Sequence, residues 1–176
     1  DAFHIPEGAK LYIYNPSLSD RVLGAYTSTS LPQGSEGRYA TEMLPGDHLT
    51  LEYQPSSVGE KPAVKPSAVG YIVHLPQGNS LRYTDSYDFA GENNSGSCMV
   101  NVNCEEGDAW QNEKDGIAFI QTKVGEYIGV CSGTLLNNAA EDGTPYLITA
   151  AHCAIPAEGH KATPEDLDQW VFYFHY

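Results

Sequence analysis

The apolar residues of this chain come in short runs, and none continues with a helical repeat long enough to build an amphipathic helix layer. The first half carries LYIY at 11–14, RVLGAYT at 21–27, HLTLEY at 48–53 and VGYIVHL at 69–75. The second half carries GIAFIQ at 116–121, YIGVCSGTLL at 127–136, PYLITA at 145–150 and WVFYFHY at 170–176. HLTLEY alternates as a half-buried strand must: Leu49, Leu51 and Tyr53 share one face, and His48, Thr50 and Glu52 the other. Turn formers separate the runs, among them Asn15-Pro16, Pro32-Gln33-Gly34 and Pro45-Gly46-Asp47. This pattern predicts an all-β fold. Seventeen glycines, 11 prolines and 12 tyrosines agree with many short strands and turns. The one helical turn expected is ATPEDLDQ at 162–169, with Thr163 as its cap and acidic residues in the first turn.

The two halves differ in chemistry. Residues 1–84 lack cysteine and predict a small antiparallel β-sandwich, with PSSVGEKPAVKP at 55–66 as an exposed loop. The pattern then dissolves into a polar, turn-rich stretch, which places a linker at 85–96. Residues 97–176 hold all four cysteines and form the second domain.

Net charge is −14, a field that repels nucleic acid and anionic membrane surfaces. No apolar run approaches the roughly 20 residues that a membrane-spanning helix needs. The sequence opens on Asp1 rather than methionine, which reads as a processed or trimmed start and leaves room for a secretory signal upstream. Cys98, Cys104, Cys131 and Cys153 lack paired CxxC spacing, which favours disulfides in an oxidising compartment over a zinc site. His4, His48, His74, His160 and His175 show no metal-binding spacing, and Glu105-Glu106-Gly107-Asp108 lacks that of a calcium loop. No metal or cofactor is expected, the acidic cluster reads as a solvated turn, and Trp110 and Trp170 read as packing residues.

His152 stands apart from the other histidines. It directly follows the run YLITAA, with the small residues Ala150 and Ala151 just before it and Cys153 just after. A general base needs such a fixed position, because proton transfer tolerates little misplacement.

Thr149-Ala150-Ala151-His152-Cys153, preceded by Cys131-Ser132-Gly133-Thr134-Leu135, resembles the trypsin-like serine proteases. GSCMVNVNCEEGD and GTLLNN more particularly resemble the bacterial lysyl endopeptidases, a similarity running from about Gly96 to Tyr176. The resemblance implies that His152 accepts a proton from a serine while a buried aspartate holds its tautomer. It also implies a Cys131–Cys153 disulfide, a pair of six-stranded barrels, no cofactor, a protein or peptide substrate, and a secreted, periplasmic or cell-surface location. The first domain is similar, more weakly, to the β-rich propeptide or accessory regions ahead of such protease domains.

Of the catalytic residues of that family, only His152 has a matching position. The family's aspartate and its G-D-S-G serine lie further along its chain, and no G-D-S-G occurs here. Asp166 and Asp168 follow His152 closely and read as solvated loop acids; Ser95 and Ser97 precede it and lack the context of a nucleophile loop. Cys98 and Cys104 resemble positions whose partners also lie later in the family, leaving three states open: paired with each other, free, or bridged to another polypeptide. The expectation is an N-terminal fragment of a secreted serine endopeptidase, an incomplete trypsin-like β-barrel that is inactive alone. Its partner would be the missing C-terminal protease segment or chain. If the protein matures by cleavage after a basic residue, Arg82 is the nearest one ahead of Cys98. The alternative is a non-catalytic binding or adhesion module whose protease-like half is degenerate.

Overall fold

A computed structural model describes residues 3–18, 21–30, 38–71, 102 and 104–174. Cys98, His74, His175, the expected linker 85–96 and most of the run 69–75 lie outside the described residues. The chain forms two compact units, residues 1–69 and 70–176, and both are built from antiparallel strands.

In the first unit, β1 is Phe3–His4, β2 Lys10–Tyr14, β3 Val22–Tyr26, β4 Thr50–Gln54 and β5 Ala63–Val64. A three-stranded sheet has the order β3-β2-β4, and β1 pairs with β5 in a short ribbon. The period-two alternation of KLYIY decides which face is buried. Leu11 and Ile13 turn inward, opposite Tyr53 and Leu51 of β4 and Tyr26 and Leu23 of β3. They join Ile5 and Ala9 in one core, against which Phe3, Tyr39, Leu44, Tyr53 and Val64 pack. Phe3 and Val64 bring the β1–β5 ribbon against the same core. Each fully buried aliphatic side chain contributes about 1.5–3 kcal/mol. The ring of Tyr39 lies 5.6 Å from Phe3 and meets Tyr26 edge-on at 5.2 Å.

Residues 55–66, expected as an exposed loop, contain β5. Pro62 and Pro66 bracket it, and since proline cannot donate to a ladder the strand stops at two residues. At the far end of the sheet, buried Asn15 donates from Nδ2 to the Pro45 carbonyl at 2.9 Å and accepts at Oδ1 from the Ser17 amide at 2.9 Å. Gly46 sits against it with φ +89°, where a Cβ would come within 2.2 Å of Asn15 Nδ2. Both the conformation and the space call for glycine.

The first described element of the second unit is a 3-10 turn, Glu105–Trp110, leading into α1 at Gln111–Lys114. It continues with β6 Ile117–Val124, β7 Tyr127–Leu136, β8 Tyr146–Thr149, α2 Ala151–Ala154, α3 Pro164–Leu167 and β9 Val171–Phe174. The strands form one antiparallel sheet, β8-β7-β6-β9. β6 is its spine, with Ala118 and Ile120 wholly buried, and a two-residue hairpin at Gly125-Glu126 returns the chain to β7. The acidic stretch at 105–108, expected as a solvated turn, keeps Glu105, Glu106 and Asp108 exposed and is wound into this 3-10 turn. Gln111 Nε2 secures it, donating to the carbonyls of Val102 and Gly107 at 2.8 and 3.0 Å.

Among the described residues the sheet does not close into a barrel, and β8 and β9 are its edges. Leu136, Tyr146, Ile148, Phe172 and Phe174 remain exposed on it. Trp170 packs as expected, donating from Nε1 to the Lys123 carbonyl at 3.0 Å, whereas Trp110 is 59% exposed and does not serve the core.

Candidate active-site histidine

Three features fix the turn that carries His152. The first is a close approach of strands. Gly133 of β7 faces Thr149 of β8 and Ala118 of β6. A Cβ there would lie 2.7 Å from Leu147 Cδ2, 2.8 Å from Ile120 Cδ1 and 3.1 Å from the Ile148 carbonyl oxygen. The glycine of the Cys-Ser-Gly-Thr run therefore lets the sheet pack at the place where β8 ends.

The second is the turn itself. Ala150 is still extended, with φ −76° and ψ 144°, and the next four residues wind into the single turn of α2. The Cys153 amide donates to the Ala150 carbonyl and the Ile155 amide to the Ala151 carbonyl, both at 3.0 Å. On the exit side the Ala162 amide donates to the Ala154 carbonyl at 2.8 Å.

The third is covalent. Cys153 is buried and forms a disulfide with Cys131 of β7, with Cα atoms 6.1 Å apart. Thr149 donates its hydroxyl to the Ser132 carbonyl at 2.8 Å and lies 3.3 Å from Cys153 Sγ, closing the corner between β7, β8 and α2.

On this turn Cys153 points inward and His152 outward, with its imidazole exposed. The histidine thus belongs to the first helical turn after β8 rather than to the strand end. Among the described residues no hydrogen bond orients its ring. A ring nitrogen of His152 lies within 4.8 Å of Sγ of both Cys131 and Cys153, a spacing that would suit a metal ion. Metals take thiolates, however, and both sulfurs are committed to the disulfide. In this oxidised form the trio is not a metal centre.

Asp166 departs from its sequence reading. It is buried, not a solvated loop acid. Its Oδ1 accepts from Lys123 Nζ at 2.5 Å, and its Oδ2 from the amides of Gly125 and Thr163, each at 3.1 Å. The Asp166 amide in turn donates to Thr163 Oγ1 at 3.2 Å, a reciprocal capping box. Burial alone would raise the carboxyl pKa, but the ammonium and two amides outweigh it and hold it at about 2. With its oxygens occupied in this way, Asp166 anchors the β6–β7 hairpin to α3 and is not the partner of His152. The Thr163-Pro164-Glu165-Asp166 pattern carried the signal for this box: a capping residue followed three positions later by an acid. Asp168 is exposed, as read from the sequence. Cys104 is an exposed free thiol at the start of the 3-10 turn.

Residues 92–176, a little under half of the chain, match the family model of the lysyl endopeptidase C-terminal domain. That segment takes in both motifs, the disulfide and His152. No solved structure matches the chain. Residues 92–176 are therefore lysyl-endopeptidase-like, and so protease-related, in sequence. Among the described residues no helix is long and apolar enough to cross a membrane.

Proposed function

We propose that this chain is the histidine-bearing part of a serine endopeptidase in which His152 is the general base. The supporting observation is the exposed imidazole on a turn pinned by the Cys131–Cys153 disulfide and by the Thr149–Ser132 hydrogen bond. A turn so held fixes the backbone that carries the imidazole and leaves the ring an open side, which suits it to accept a proton from a serine hydroxyl as that hydroxyl attacks an amide carbonyl. The serine, the aspartate that sets the tautomer and the oxyanion hole would come from further polypeptide, as the lysyl endopeptidase similarity implies.

The exposed apolar residues of the open sheet give that polypeptide a surface to pack on, and its edges give it strands to pair with. Residues 1–84 would act as a propeptide or accessory domain, and the substrate would be a protein or peptide. The disulfide is compatible with a secreted, periplasmic or cell-surface setting.

The test is active-site labelling with a fluorophosphonate, which reacts only with a serine activated by its base. The probe is applied to the polypeptide encoded by the whole reading frame. Labelling of the wild type that disappears in His152→Ala supports the reading. Undiminished labelling of the variant contradicts it.

A further inference from the structure

The outer face of the three-stranded sheet in the first unit is built like a site, and the histidine plays no part in it. Tyr12 and Tyr14 stand side by side on β2, directed away from the core that Leu11 and Ile13 fill. Glu52 faces Tyr12 across the β2–β4 ladder, and Gln54 follows it on the same face. Together with Leu18 and Val22 these side chains line a groove of about 360 Å³.

Glu52 is organised in an unusual way. Its Oε2 accepts from the Tyr14 hydroxyl at 3.1 Å and its Oε1 from Gln54 Nε2 at 2.8 Å. Both donors are neutral. Lys10, opposite Gln54 on the same face, makes no ion pair with it, and among the described residues Glu52 has no cationic partner. The carboxylate is thus aimed and hydrogen-bonded, with no matching cation among the described residues, in a protein whose net charge is −14.

We propose that this groove binds a primary ammonium on an aliphatic stem, the chemistry of a lysine side chain in a peptide. Leu18 and Val22 supply apolar surface for the stem, the two tyrosine rings supply π faces, and Glu52 supplies the counter-charge. An ammonium suits the site better than a guanidinium. A guanidinium fork seeks both carboxylate oxygens at once, and each oxygen here already accepts one bond, whereas a point charge needs only one free lone pair.

The test is an NMR titration of the full chain with Nα-acetyl-lysine methylamide, following the tyrosine ring resonances. The norleucine analogue (equal in stem, without charge) and the arginine analogue serve as comparisons. Saturable shifts with the lysine probe are expected at about millimolar concentration, as exposed cation–π and ion-pair contacts allow. They weaken as salt is raised, and Glu52→Gln reduces affinity about fivefold or more, by loss of that contact. Backbone amide resonances of Glu52→Gln that stay at their wild-type positions outside the groove show that the sheet is still folded. Equal response to the norleucine analogue would overturn the proposal by making the groove merely apolar, as would unchanged affinity in Glu52→Gln. Equal binding of the arginine analogue would overturn the choice of ammonium, and absence of any shift would overturn the site.

Discussion

Cys131 and Cys153, 22 positions apart in the chain, are joined so that the turn carrying His152 cannot leave the central strand β7. Closing a loop of this length stabilises by about 3 kcal/mol in the chain-entropy account. The double variant Cys131→Ser, Cys153→Ser should lose roughly that amount. Urea unfolding followed by tryptophan fluorescence measures it for the second unit, because Trp110 and Trp170 both belong there. An unchanged midpoint would mean that the turn is held by its hydrogen bonds alone.

Asp166 makes the stability of the second unit depend on pH. Its carboxyl has a folded pKa of about 2, below the ordinary 3.8. A depressed folded pKa contributes stability that is complete above the unfolded value and is lost as pH falls through the folded one. The loss should therefore run from about pH 4 down to about pH 2, and amount to about 1–2 kcal/mol once the partial exposure of Lys123 is allowed for. Asp166→Asn should be less stable than wild type at neutral pH and flatter across this window. Unfolding curves at several pH values measure both effects, and parallel curves for the two proteins would refute the assignment.

Gly133→Ala tests the close approach that positions the end of β8. The added methyl would have to displace the tips of Leu147 and Ile120 and press on the Ile148 carbonyl. A cost of about 1–3 kcal/mol is expected, typical of overpacking. Thermal unfolding monitored by tryptophan fluorescence gives the value, and a neutral substitution would show that the three strands have slack there.

Much of the strand framework was legible in the sequence. YIGVCSGTLL is β7, residue for residue, LYIY lies within β2, and RVLGAYT, PYLITA and WVFYFHY each contain a strand, because period-two alternation and bounding turns report directly on a sheet with one covered face. Thr163 was legible as a cap for the same reason: capping is local chemistry.

What the sequence hid depends on distant partners. β1 and β5 are two residues each and exist only because they pair across some sixty positions, which no local pattern encodes. Asp166 read as a loop acid because Lys123 and Gly125, which bury its charge, come from a hairpin more than forty positions earlier. The Tyr14–Glu52–Gln54 network likewise joins two strands that become neighbours only in the sheet. In the candidate site the motif pointed to His152, but not to its place on a helical turn beyond the strand. That placement follows from the bend at Ala150, which periodicity does not report.

The central claim, that His152 is a general base for peptide hydrolysis, is tested most directly by kcat/KM. The assay takes the product of the whole reading frame on a mixed set of chromogenic peptide amides, wild type against His152→Ala. The account predicts measurable hydrolysis by the wild type and a fall of about 10³-fold or more in the variant, the usual cost of removing the base from such a constellation. Hydrolysis that survives the substitution at the wild-type rate would contradict it.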